Sequence, residues 1–181
     1  MTDPRDDKAR IEQTKGGLIK DSYRWVLDNA EFKRWRSDEN NRLLWIKGDP
    51  GKGKTMLLYG IIDELQKSIG DAGILSFFFC QATDSRIKSA TAVLRGLLFL
   101  LAKQQESPIS HIRERHKDVG KQLFDGVNAW AALSQIFTSI LNDPNLQDTY
   151  IVIDALDECV TDLPLLLDFI VRKSSRSSRV K

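Results

Sequence analysis

The stretch that most constrains this chain is LLWIKGDPGKGKT, residues 43–55. An apolar run, Leu43-Leu44-Trp45-Ile46, leads into Gly48-Asp49-Pro50-Gly51-Lys52-Gly53-Lys54-Thr55, a full match to G-x-x-x-x-G-K-[ST]. Glycines at three of these positions let the backbone wrap tightly and aim its N–H groups at one point. A following helix adds the positive end of its dipole at the same place. The pattern therefore demands strand, loop and helix in that order. The flanks comply: Met56-Leu57-Leu58-Tyr59-Gly60-Ile61-Ile62-Asp63-Glu64-Leu65 has helical spacing. A surface loop that merely happens to be rich in Gly and Lys would not need either flank. Gly48, Asp49, Pro50, Gly51, Lys52, Gly53, Lys54, Thr55 and Met56 are thus the candidate phosphate-binding residues. Lys54 would reach the outer phosphates, and the Thr55 hydroxyl would hold Mg²⁺.

Further apolar runs extend the pattern. Thr55–Ser68 reads as the helix after the loop, Ile74–Cys80 and Tyr150–Ile153 as buried strands, and Leu43–Lys47 as a first strand buried on both faces. Ala90–Gln105 and Trp130–Leu141 read as strong helices, Ile109–Phe124 as a charged, solvated helix, and Asp162–Lys173 as a last helix. Residues 1–11 read as polar and frayed, Gln81–Ser85 as a loop, and Arg172, Lys173, Arg176, Arg179 and Lys181 as a solvated basic tail. Strands alternating with helices imply an α/β layer fold with a parallel sheet. Two parts are expected: a helical lead-in over residues 1–41 and a nucleotide-binding domain over 42–181.

The second half of the site lies at IVIDALDE. An acid at the C-terminal tip of a buried parallel strand stands where such sheets bind ligands. Asp154 can hold Mg²⁺ opposite Thr55. Asp157 and Glu158 follow within one turn, and a carboxylate there can orient or deprotonate an attacking water. Glu158 is the favoured base, with Asp157 beside it or on the metal. A plain strand terminus followed by a capping acid is the competing reading.

Bulk properties exclude other classes. The chain has 181 residues, 41% hydrophobic and 29% charged, with a formal net charge of +2. That balance gives no reason to propose nucleic acid or membrane as a partner. No apolar run reaches the length of a membrane span. Cys80 and Cys159 lack paired spacing and read as free thiols of a reducing, cytoplasmic compartment. His111 and His116 sit in a charged stretch and suggest solvated helix, not a metal site.

GDPGKGKT about 100 residues ahead of IVIDALDE resembles the NACHT branch of the STAND P-loop NTPases. The small Ala155 after the first acid, then a hydrophobic residue and an acidic pair, is that branch's form of Walker B, here 150–158, as Walker A is 48–55. KGGLIKDSYRWVLDN, FFFCQATDSR, SATAVLRGLL and YIVIDALDECVTDLPLLLDFI are similar to fungal NACHT proteins of the vegetative (heterokaryon) incompatibility type. The resemblance spans about Arg10 to Lys181 and implies a P-loop three-layer α/β/α fold. It implies ATP or GTP bound with Mg²⁺ and hydrolysed slowly, in a switch that self-oligomerises in the full-length protein and carries effector and repeat domains in cis. It places Lys15–Asp21 near the base, with a packing helix as the competing reading. In the family a sensor strand, helical subdomains and a winged helix follow, so the sheet is expected to be incomplete at the C-terminus. Leu43–Lys47 and Tyr150–Asp154 would then each lack a strand partner, leaving a marginally stable chain with weak nucleotide affinity. Three other readings stand beside this one. The first is a non-hydrolysing, nucleotide-gated interaction module. The second is an inactive truncated piece. The third is another P-loop enzyme, a kinase or a motor with Arg86 or Arg95 as its arginine finger. No base-specific motif separates ATP from GTP.

Overall fold

The computed structural model describes residues 2–14, 16–17, 23–120, 122–174 and 179–181. The Lys15–Asp21 segment, apart from Gly16 and Gly17, and Arg176 of the basic tail lie outside the described residues. The elements are helices α1 (Pro4–Thr14), α2 (Arg24–Asp28), α3 (Ala30–Ser37) and α4 (Lys54–Ile69), strand β1 (Gly73–Phe79), helices α5 (Ala90–Gln104), α6 (Glu106–Val119), α7 (Gln122–Asp125) and α8 (Ala129–Leu141), strand β2 (Asp148–Asp154) and helix α9 (Leu163–Ser174).

β1 and β2 pair in parallel, from Gly73 opposite Asp148 to Phe79 opposite Asp154. Parallel pairing needs a crossover, which α5 to α8 supply. Side chains along β1 alternate between two cores, as the two-residue strand period requires. Ile74 and Phe78 join α5, α8 and α9 on one face. Leu75, Phe77 and Phe79 join α2, α3 and α4 on the other. That is why GILSFFF is apolar at nearly every position. The exception, Ser76, is buried with its hydroxyl donating to Leu97 O at 3.0 Å. The fold is thus α/β, built on a small parallel sheet.

Local signals set the helix bounds. Asn29 caps α3 by accepting from Glu31 N and Phe32 N, and the Ser89 hydroxyl caps α5 by accepting from Ala92 N. Leu57, Ile61 and Leu65 bury one stripe of α4. Each such side chain contributes about 1.5–3 kcal/mol. The free edge of β1 at Leu75 is occupied by the Gln104 amide, which donates to Leu75 O at 2.8 Å and accepts from Leu75 N at 3.1 Å. A side chain here does what a further strand would do, satisfying both backbone groups.

Four expectations need correction. Leu43–Lys47 forms no strand: it makes no ladder with any described residue. Its alternation survives on one face only, with Leu44 and Ile46 packed on the core while Leu43 and Trp45 are exposed. The reason is spatial. An open cavity of about 390 Å³ has residues 42–48 on one wall and residues 151–157 on another, with Val180 and Lys181 also lining it. Residues 4–11 are not frayed. They supply most of α1, with Pro4 and Asp7 buried. Ile109–Phe124 is not one helix, because α6 ends at Gly120 (φ 63°) and α7 starts anew. Finally, the basic tail is not solvated throughout. Residues 179–181 run parallel to β2 on its edge away from β1: Thr149 N donates to Arg179 O (2.7 Å), Ile151 N to Lys181 O (2.8 Å) and Lys181 N to Thr149 O (2.9 Å). Arg179 donates to Pro144 O and Leu146 O. The Lys181 ammonium donates to Trp35 O and Arg36 O at the C-terminal end of α3, where a cation suits the helix dipole.

Candidate functional site

The glycine loop is shaped by its backbone. Gly51 (φ 77°) and Gly53 (φ 79°) adopt left-handed conformations that side chains with a Cβ disfavour. Gly53 is the N-cap of α4, and Leu57 N closes the first helical turn on Gly53 O at 2.9 Å. Lys54, the first helical residue, turns back across the loop and donates to Gly48 O at 2.6 Å and Asp49 O at 3.0 Å. Thr55 and Met56 follow in the first turn, both half-buried. Asp49, Pro50 and Lys52 are exposed.

Asp154 ends β2 and is buried at 5% exposure, with its carbonyl accepting from Cys80 N at 3.1 Å. Ala155 then takes a left-handed conformation (φ 53°, ψ 48°). This sharp bend starts a 3₁₀ turn, Leu156–Glu158, closed by Glu158 N on Ala155 O at 2.8 Å. A small side chain suits a position where an L-residue pays a steric cost of about 1–2 kcal/mol.

Gly48, Lys54, Asp154 and Asp157 all line the cavity described above. It therefore joins a cation from the glycine loop that opens α4 to two acids from the end of β2 and the turn after it. The rest of its wall is largely apolar, including Ile46, Leu58, Val152 and Leu156. Thr55, Met56 and Glu158 do not line it. The Glu158 carboxylate instead accepts from Ala82 N at 2.9 Å, in the loop after β1. Arg86 and Arg95 are both engaged: Arg86 forks onto Asp84 and Arg95 donates to Phe124 O.

Other polar groups are structural. Cys80 and Cys159 are buried free thiols, the Cys159 thiol donates to Thr161 O, and burial pushes both upward in pKa. His111 is not solvated: its Nε2 lies 2.9 Å from Asp143 Oδ2, which also accepts from the Ser107 hydroxyl. Ser107, the Asn145 N–H and His111 together hold the Asp143 carboxyl below the usual range. The serine meets the acid and not the imidazole, so this trio fastens α6 to the turn before β2 and presents no activated nucleophile.

Gln81–Ser85 was read only as a loop, inside the FFFCQATDSR stretch that carries the family resemblance, and only the fold brings it to Glu158. Among the described residues no helix is long and apolar enough to cross a membrane, and no group of three or more His, Cys, Asp or Glu could hold a metal ion.

Comparison with known proteins gives a consistent placement. The chain is 64% identical over all 181 residues to the vegetative incompatibility protein HET-E-1 of Podospora anserina, and it spans 13% of that protein's length. This bears out the resemblance to fungal vegetative-incompatibility proteins. No solved structure gives a significant match. The family described as Nephrocystin 3, N-terminal, matches residues 21–181, and the chain belongs to that family.

Proposed function

We propose that this chain binds a nucleoside triphosphate, ATP or GTP, with Mg²⁺ and hydrolyses it slowly, as the NACHT-type switch module of a fungal NOD-like receptor in non-self recognition. The observation that carries this is the shared cavity: Lys54 and Asp154 reach it from separate elements, 100 positions apart in sequence. The donor set fits the ligand. A lysine ammonium, glycine-loop N–H groups and a helix N-terminus suit phosphate. The Asp154 carboxylate, on the cavity, and the Thr55 hydroxyl, in the first turn of α4 outside its lining, are hard oxygen donors of the kind Mg²⁺ takes, with phosphate and water completing its shell. Bound there, Mg²⁺ would neutralise charge developing on the phosphates.

The remaining roles fall on the chain's own groups. Lys54 exchanges the Gly48 and Asp49 carbonyls for phosphate oxygens, so loop shape and occupancy are coupled. Asp157, lining the cavity, and Glu158, held by Ala82 N, are the carboxylates available to orient water or take its proton. Self-oligomerisation, and control by effector and repeat domains elsewhere in the full-length protein, belong to the same proposal. The P-loop three-layer α/β/α fold belongs to it too, supported by helices on both faces of the sheet.

Titration of the 181-residue chain with fluorescent ATP and GTP analogues in Mg²⁺ tests the reading. Lys54→Ala abolishes binding, and Glu158→Gln keeps binding while turnover falls at least ~100-fold, as for loss of a general base. Unchanged binding by Lys54→Ala would refute it. A second reading, a nucleotide gate without meaningful hydrolysis, is favoured by one observation: the Glu158 carboxylate is bonded to Ala82 and stands outside the cavity. In that case Glu158→Gln leaves the residual turnover unchanged.

A further inference from the structure

We propose that Arg10, on α1, is a positioning residue for Glu158, acting through the Gln81–Asp84 turn, so that turnover depends on the docking of α1. The inference rests on the hydrolytic reading of Glu158.

α1 is seated on the domain by several independent contacts. Lys8 pairs with Asp63 of α4 at 3.1 Å, and the Tyr59 hydroxyl donates to Lys8 O at 3.1 Å. Pro4 and Asp7 are buried. Asp7 fixes Arg10 in place: its Oδ1 accepts from Arg10 Nη2 at 3.3 Å, while its buried Oδ2 has no partner among the described residues. A buried carboxylate with one free oxygen makes the neighbouring guanidinium costly to remove.

The guanidinium also reaches across the end of β1. Both of its Nη groups donate to Gln81 Oε1 at 3.3 Å, and Nη2 lies 3.8 Å from Asp84 Oδ2. Gln81 and Asp84 are the two ends of a tight turn, closed by Asp84 N on Gln81 O at 3.0 Å. That turn is tied down by Ile87, which is fully buried and donates to Asp84 O at 3.1 Å. Inside it, Ala82 N donates to Glu158 Oε2. One guanidinium thus bonds the Gln81 end of the turn whose N–H orients the candidate base and stands at ion-pair distance from Asp84 at the other end, where Arg86 also forks onto the acid, while a lysine offers only a point charge in place of the two Nη donors. Held by one oxygen, Glu158 keeps the other for water.

The test compares kcat and KM for nucleotide turnover by the wild-type chain, Arg10→Ala, Arg10→Lys, Gln81→Ala, the Arg10→Ala/Gln81→Ala double variant and Glu158→Gln. Gln81→Ala matters because it removes the acceptor without exposing Asp7 to an uncompensated charge. We expect Arg10→Ala and Gln81→Ala each to lower kcat about tenfold, short of the ~100-fold that a 1 Å misplacement can cost. KM should stay within about twofold, Arg10→Lys should not restore kcat, and the double variant should be no worse than either single. Amide exchange at Ala82, followed by NMR, should accelerate in both single variants while Val152 in the core stays protected. If Glu158→Gln keeps full kcat, the hydrolytic reading and this inference fall together. If Glu158→Gln loses kcat but Gln81→Ala and Arg10→Ala do not, the inference alone falls. A parallel rise in KM, or unchanged Ala82 exchange, also overturns it.

Discussion

Gly96 sits in the middle of α5, where it faces Phe78 of β1. A Cβ added there would lie 2.4 Å from Phe78 Cδ2 and 2.6 Å from Cε2, with Pro4 Cγ of α1 at 3.2 Å. Carbon atoms favour separations of about 3.5–4.0 Å, so Gly96→Ala must open the α5–β1 contact by more than ~1 Å. Phe78 is 2% exposed and packed in the core between β1 and α5, so its ring can give way only by displacing core neighbours or turning away from α5. Two effects oppose each other. Alanine gains about 1 kcal/mol of helix propensity over glycine. Overpacking a filled core costs about 1–3 kcal/mol, and the severity of this clash puts it at the upper end. The net result is a loss of about 2 kcal/mol. With a urea slope of about 2 kcal/mol/M, the unfolding midpoint drops by ~1 M. Equilibrium urea unfolding followed by tryptophan fluorescence reads this directly. Phe78→Leu in the Gly96→Ala background should recover part of the loss, giving a coupling energy of about 0.5–3 kcal/mol. A Gly96→Ala midpoint at or above the wild-type value would refute the packing argument, since propensity alone would then have decided.

Two further outcomes follow from other parts of the structure. Ala155→Gly relieves a left-handed cost of about 1–2 kcal/mol and adds unfolded-chain entropy worth about 0.4–1 kcal/mol, so it should stabilise the chain by ~0.5–1 kcal/mol. Ala155→Val, branched at that backbone position, should lose stability instead, and urea midpoints in any other order than Gly, Ala, Val would contradict the assignment of strain. Asp143 is held as a carboxylate by the Ser107 hydroxyl, the Asn145 N–H and His111, so its folded pKa lies below the unfolded value of about 3.9. Its stabilisation is complete above that value and is lost as pH falls through the folded one. Asp143→Asn should therefore melt below wild type at pH 7, with the gap narrowing from about pH 5 toward pH 2. A gap constant across that range would show that charge plays no part.

The left-handed glycine loop, the helix after it and the place of Asp154 at the end of β2 were legible because each depends on local chemistry. Gly53 needs its own left-handed φ, and Leu57, Ile61 and Leu65 repeat at the helical period. Strand identity is less local. Leu43–Ile46 and Tyr150–Ile153 are equally apolar, yet only the second has a neighbouring backbone to pair with. The run alone cannot report which partner lies beside it. α1 was hidden for a similar reason: its composition is polar, and what orders it is the burial of Pro4 and Asp7 against the rest of the chain. Which acid faces the cavity was not readable either, because the bend at Ala155 decides it. The Arg10–Gln81 contact spans 71 positions and leaves no periodic trace.

The β1–β2 ladder has a consequence for synthesis. Phe79 and Asp154 pair although 75 positions separate them, and Asp154 leaves the ribosome 100 residues after Lys54. At about 5–20 residues per second, the nascent chain spends roughly 5–20 s with its lysine made and its acid not yet present. From the completion of Phe79, 75 residues before Asp154 and so for roughly 4–15 s at that pace, GILSFFF lacks its partner strand, a β-prone apolar segment with an open edge. Docking of α5, which packs on one face of β1, would cover the segment 73–79 before β2 is made.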